Sequence, residues 1–307
     1  MKIKKTTFGS LTWLDIISPT HEETKYLQSE FDFHPLALED CLSEIQRSKV
    51  DEYDDYMFLV LHFPRYYKND QRLSSEEVDI FLGKNYLITL HEGELKPLVS
   101  FFKACSEQEE VRKRFMGQGS GILLYEIVRR LFNYCFPMLD KIATNLGQLE
   151  RGIFKSRSRM MLEEISRLKL EIIGFRKILK PLRPVIKTLE LAIKRFLPED
   201  LEVYFDDITD QIEKIWDLLE NFKEVVDSLL GTFEANTSYR INNLMRIFTV
   251  ISVIILPMTL IQGFFSMNVS GIPLAKHPFA FWFTIAFTFI PATVIAWIMI
   301  QKRNEWL

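Results

Sequence analysis

Hydrophobic positions follow three patterns along the chain. Up to about residue 93 they come in short runs bounded by turn residues. Leu11-Thr12-Trp13-Leu14-Asp15-Ile16 predicts a strand, and Thr20 followed three residues later by Glu23 forms a capping box that predicts a helix start. Tyr56 to Phe63 predicts a second strand, and Val78 to Leu82, then Gly83-Lys84-Asn85 and Tyr86 to Leu90, predict a hairpin. Residues 1–93 therefore read as a small α/β domain. From about Leu95 to Phe196 the apolar residues recur every three or four positions, which predicts a helical segment over residues 94–198 with Pro137, Pro181 and Pro184 as its breakers. After Pro198-Glu199-Asp200 no proline occurs before Pro257, so one helix of close to 90 Å is expected before that proline. Its part over 199–246 reads as a stalk, because it is too long for a compact domain.

The third pattern has no charge. Ile247 to Ala275 is uncharged over 29 positions, and Pro278 to Gln301 is uncharged again after Lys276 and His277. About 20 apolar residues cross about 30 Å of hydrocarbon, so two membrane spans are predicted, 247–269 and 279–301, joined by an external loop 270–278 and followed by a tail 302–307. Arg240 and Arg246 precede the first span, and Lys302 and Arg303 follow the second. By the positive-inside preference both termini face the cytoplasm of a multi-pass cell (inner) membrane protein. Met1-Lys2-Ile3-Lys4-Lys5 is basic, but no apolar stretch follows it as in a signal peptide.

Charge and chemistry narrow the function by exclusion. A net charge of -3 gives no basic surface for nucleic acid. Glu150 to Arg195 holds thirteen Lys/Arg against five Asp/Glu, and Glu199 to Glu234 holds twelve Asp/Glu against two Lys/Arg. Two readings stand: separately solvated helices, or neighbours that neutralise each other. Cys41, Cys105 and Cys135 lack CxxC spacing and read as small buried residues. His21, His34, His62 and His91 lack ligand spacing, and no P-loop, nucleophile elbow or HExxH occurs, so no enzyme is expected.

Inside the first span a second pattern is superimposed. Asn242, Met245, Thr249, Ser252, Leu256, Thr259, Gly263 and Ser266 alternate steps of three and four, giving one small or polar helix face among apolar ones. Such a face serves either close helix packing or a water-filled pore lined by several copies. Two spans cannot enclose a pore, so the second reading requires a symmetric homo-oligomer, for which a ring of four to six is enough. Met245 and Leu256 would then be apolar constrictions, and Thr259, Gly263 and Asn268 would offer oxygens to a hard cation that keeps its waters.

The run Pro257-Met258-Thr259-Leu260-Ile261-Gln262-Gly263-Phe264-Phe265-Ser266-Met267-Asn268 resembles the CorA family of magnesium transporters, whose signature is Gly-Met-Asn. So do Asn242-x-x-Met245, the basic end with Trp306-Leu307, and, near the N-terminus, Phe33-His34-Pro35-Leu36-Ala37-Leu38-Glu39-Asp40 and Gln46-Arg47-Ser48-Lys49-Val50-Asp51. The resemblance spans nearly the whole chain. It implies an α+β membrane protein with an N-terminal cytoplasmic α/β domain, a long helical stalk and two C-terminal transmembrane helices, assembled as a funnel-shaped homopentamer. It further implies that Asn268, beside Met267, receives hydrated magnesium at the outer mouth. Cytoplasmic magnesium bridging Asp40 and Asp207 of neighbouring subunits would close the pore. Magnesium is then both the transported and the regulatory ion, and no other cofactor is implied. Magnesium sheds water reluctantly, which suits amide oxygens that bind its water shell.

Four departures bear on the resemblance. Ser266 stands at the Gly of the signature, Phe248 replaces a smaller gate residue, the external loop lacks acidic residues, and Ala143-Thr144-Asn145-Leu146-Gly147 is neutral where the family is often acidic. The expected function is passive influx of magnesium, with cobalt or nickel as further divalent cations. The alternative is a zinc transporter of the same superfamily, proton-coupled, with His277 near the mouth. A non-conducting membrane sensor is a third reading.

Overall fold

The computed structural model describes residues 2–43, 46–67, 72–153, 159–197, 201–267 and 278–301. The chain divides into two compact units, Met1–Gly231 and Thr232–Leu307.

In the first unit the strands β1 (Ile3–Phe8), β2 (Leu11–Ile17), β3 (Lys49–Glu52), β4 (Tyr56–Tyr67), β5 (Arg72–Gly83) and β6 (Tyr86–His91) form one sheet ordered β1-β2-β6-β5-β4-β3. Only the β2–β6 pairing is parallel. Two helices, α1 (His21–Phe31) and α2 (Pro35–Asp40), connect β2 to β3. Buried Met57 to Leu61 on β4 is continuous rather than alternating, the mark of a strand covered on both faces. One face carries Phe58, Val60, Phe81 and Ile88 beneath Leu27, Phe33 and Leu38. Phe33 stacks on Phe81 with ring centroids 4.1 Å apart. On the other face Trp13 meets Phe102 of α3 (Lys96–Glu107) at 4.9 Å, and Phe63 meets Phe132 of α5 (Ser120–Asn133) at 5.3 Å. Two more helices, α4 (Glu109–Met116) and α6 (Phe136–Gly152), complete this part.

The capping box forms as its sequence predicts. Glu23 accepts from the backbone N–H of Thr20 at 3.1 Å and of Lys2 at 2.9 Å, and the Thr20 hydroxyl also bonds its carboxylate. These donors, the Thr20 hydroxyl first, lower the Glu23 carboxyl to about 2. The three cysteines are buried and free, as their spacing suggests.

The prolines differ from expectation. Pro137 opens α6, but Pro181 and Pro184 lie inside α7 (Arg159–Phe196) without ending it. An internal proline costs about 3 kcal/mol. Here a buried stripe that includes Ile172, Phe175, Leu179, Leu182, Ile186, Leu189 and Ile193 runs through both positions and offsets that cost.

The basic and acidic segments are neighbours. They form α7 and the first part of α8 (Glu202–Ser266), joined by Lys169–Asp227 at 2.7 Å, Arg176–Glu220 at 2.5 Å, Arg183–Glu213 and Lys194–Glu202 at 3.0 Å. The numbers rise along α7 as they fall along α8, so the helices run antiparallel. Phe205, Ile208, Ile212, Ile215, Leu219, Val226 and Leu229 bury the apolar side of α8. This helix then continues for 65 residues in all, about 100 Å, and passes Pro257 without a break. The second unit contains the rest of α8 and α9 (Ala280–Gln301).

Candidate ion pathway and carboxylate sites

Among the described residues two helices are long and apolar enough to cross a membrane, α8 and α9. Over residues 254–265 α8 is covered on one side only, while residues 241–253 are exposed all round. Ile254, Pro257, Met258, Ile261 and Phe265 are half-buried, and on α9 Thr288 and Ala292 are buried. Asn242, Met245, Thr249, Ser252, Leu256, Thr259, Gly263 and Ser266 are all exposed, and so is Met267 just past the helix end. At about 3.6 residues per turn the half-buried set and the small or polar set lie on opposite sides of the helix. The flanks between them, with Val253, Ile255 and Phe264, are apolar and exposed.

The hydroxyls of this stripe have a defined orientation. Thr249 donates to the Met245 carbonyl at 2.8 Å, Thr259 to Ile255 at 3.0 Å, and Ser266 to Gly263 at 3.0 Å. A hydroxyl that spends its one proton on a helix carbonyl presents only lone pairs outward. At these three positions the stripe therefore offers acceptors, which suit the water protons of a hydrated cation. Gly263 has no neighbour within 4 Å of where a Cβ would stand, so packing inside the chain does not require its lack of a side chain. Asn268, His277 and loop residues 270–277 lie outside the described residues.

In the first unit Asp40 ends α2 and is tied to the chain that follows. Its Oδ1 accepts from Gln46 Nε2 at 3.0 Å and its Oδ2 from Lys49 Nζ at 2.6 Å. Lys49 reaches Asp51 Oδ2 at 2.6 Å as well. Partial burial works against its charge, yet the carboxylates of Asp40 and Asp51 hold the ammonium above the usual lysine range. Asp207 on α8 accepts from the Tyr125 hydroxyl at 3.0 Å and from Gln211 Nε2 at 2.7 Å. Burial, then this bond to Asp207, pushes Tyr125 up to about 12. Among the described residues no group of three or more His, Cys, Asp or Glu side chains gathers as a metal site within one chain. Asp40 is half-buried and Asp207 is exposed. The sequence pattern shows no partner for Asp40: Lys49 is nine positions away, and only the fold brings it back.

Fold and stripe together define a membrane protein with a large N-terminal α/β unit and two C-terminal candidate spans. The chain belongs to the CorA-like Mg2+ transporter family, whose profile matches residues 8–303. It is 27% identical over 298 residues to the cobalt/magnesium transport protein CorA of Thermotoga maritima, covering 96% of this chain and 83% of that protein. It is 25% identical over 301 residues to the cobalt/magnesium transport protein CorA of Methanocaldococcus jannaschii, covering 97% and 92%. The complete structure of a CorA magnesium transporter from M. jannaschii shares the fold, with a TM-score of 0.82 at 23% identity over 96% of this chain and 92% of that one. These relatives are transporters and not enzymes.

Proposed function

We propose that the protein is a homopentameric channel for hydrated divalent cations, magnesium above all, in the cell membrane with both termini in the cytoplasm. Residues 1–93 and 94–198 form its cytoplasmic part, 199–246 the stalk, and 247–269 and 279–301 the spans. One observation carries this reading: over residues 254–265 the small and oxygen-bearing positions of α8 are left exposed opposite the side that the rest of the unit covers, and the same spacing runs back to Asn242. Five copies turning that stripe inward would line an aqueous axis, with Met245 and Leu256 as apolar gates and Asn268 at the outer mouth. The open space at Gly263 supports it, since a mid-helix glycine costs about 1 kcal/mol relative to alanine and gains nothing here within one chain. Names of relatives that include magnesium and cobalt support the ion class. The driving force is the membrane potential, about 2.3 kcal/mol per elementary charge per 100 mV.

Closure is assigned to cytoplasmic magnesium bridging Asp40 of one subunit and Asp207 of the next. Without the ion, facing carboxylates repel and open the ring. In liposomes containing a magnesium dye, uptake should grow with inside-negative potential and vanish in Asn268→Ala; uptake indifferent to that change defeats this pore mouth.

One observation favours a second reading, zinc passage coupled to protons. Ser266, at the Gly of the family signature, caps the Gly263 carbonyl and replaces it with a hydroxyl oxygen. Zinc that blocks magnesium uptake more strongly at higher external pH would support this reading over the first.

A further inference from the structure

We propose that Lys49 is a tethered cation that competes with the regulatory divalent ion for Asp40, and so sets how much cytoplasmic magnesium closes the pore. The inference rests on the assignment of Asp40 as a regulatory ligand. It adds a residue of this chain to that site.

The geometry is specific. Lys49 Nζ sits 2.6 Å from Asp40 Oδ2 and 2.6 Å from Asp51 Oδ2, a position between two carboxylates that a free cation would also favour. Its side chain lies on β3, where Lys49 pairs with Val60 of β4, and its ammonium stands 5.4 Å from the ring centroid of Phe58. The tether is thus anchored in the sheet, and the ammonium approaches Asp40 without the translational cost that a free ion bears. Gln46 holds the other oxygen, Oδ1, so both oxygens of Asp40 are engaged within its own chain.

Asp207 differs in kind. Its partners, Tyr125 and Gln211, are neutral donors and leave its full negative charge for an incoming ion. At Asp40 a divalent ion must either displace an ammonium or bind beside it against like-charge repulsion. Competition by charge therefore acts at Asp40 and not at Asp207.

Removing the ammonium should strengthen closure. Full-length protein in liposomes is assayed for dye-reported magnesium flux while magnesium on the cytoplasmic face is varied. Lys49→Met is expected to lower the half-closing magnesium concentration at least about five-fold, the low end of ordinary coupling between sites. Lys49→Arg, which keeps the charge, should stay within about two-fold, and Lys49→Gln should follow Lys49→Met in direction, which guards against a misfolded single variant. Asp40→Asn is the control for the underlying assignment and should raise the half-closing concentration or abolish closure. If Asp40→Asn shifts closure while Lys49→Met and Lys49→Gln do not, the tethered-cation role is overturned and the ligand assignment stands. If Asp40→Asn closes like the unaltered protein, the assignment itself fails and the inference falls with it.

Discussion

The two units use apolar residues in opposite ways. In Met1–Gly231 the large apolar side chains of the sheet, Trp13, Phe33, Phe58, Phe63 and Phe81, are buried by their own chain. In Thr232–Leu307, Met245, Phe248, Leu256, Phe264, Trp282 and Phe287 are exposed. The same helix shows both habits: α8 buries Ile208, Ile212 and Ile215 in its first part and exposes Ile247, Ile251 and Ile255 in its second. Burial within the chain completes the first unit against water. The second needs an apolar cover from outside the chain, since exposed apolar area of this extent is not stable in water.

The largest effect expected from this contrast is in the sheet core. Phe81→Ala should lower stability by about 3–5 kcal/mol, because it empties a site where Phe81 is fully buried against Phe33 and Phe58. Phe264→Ala, in the exposed part of α8, should change the unfolding of dissociated protomers in detergent by no more than about 0.5 kcal/mol. Equal losses at the two positions would break the comparison.

Next is the gate. Leu256→Ser should raise flux at closing magnesium concentrations roughly tenfold, which corresponds to about 1.4 kcal/mol off a dewetting barrier. An unchanged closed-state flux would turn Leu256 away from the pore axis.

A smaller effect tests the antiparallel seam of the first unit. Arg183→Met leaves Glu213 with only the more distant Lys187, 3.7 Å away, and should cost about 1 kcal/mol in thermal unfolding at low salt, less at high salt. No salt dependence of that difference would show that packing over Trp216, 4.8 Å from the guanidinium, outweighs the ion pair.

The smallest effect is at α1 and depends on pH. Glu23 is held at about 2 against an ordinary 4.5, so its contribution is present above about pH 4.5 and is lost as pH falls toward 2. Glu23→Gln should therefore flatten the acid limb of the stability profile in that window and leave a constant deficit above it. A parallel profile for both proteins would show that the Thr20 and Lys2 bonds do not stabilise the charged form.

The outcomes at single elements show what a sequence pattern carries. Thr20 and Glu23 announced α1 because a capping box is local chemistry, and Gly83-Lys84-Asn85 announced the β5–β6 turn for the same reason. The strands β1 and β3 were not announced: Ile3–Phe8 alternates weakly, and Lys49–Glu52 has four residues, three of them charged, so only the neighbours β2 and β4 define them. Pro181 and Pro184 misled because a local breaker was outweighed by a buried stripe along α7. The series from Asn242 to Ser266 was fully legible as a face of a helix, while which way that face turned was not, since packing and pore lining demand the same small residues.

The sequence alone determined the membrane-length apolar runs, the strict three-and-four series, the turn and cap positions and the family signature, because each depends on residue types at short, fixed spacing. Tertiary structure alone decided that the basic and acidic segments pair as antiparallel helices, that over residues 254–265 the stripe of α8 stays open opposite a covered side, and that Lys49 returns to Asp40. Each of those facts joins residues distant along the chain or compares sides of one helix, and no local spacing encodes which groups meet once the chain is folded.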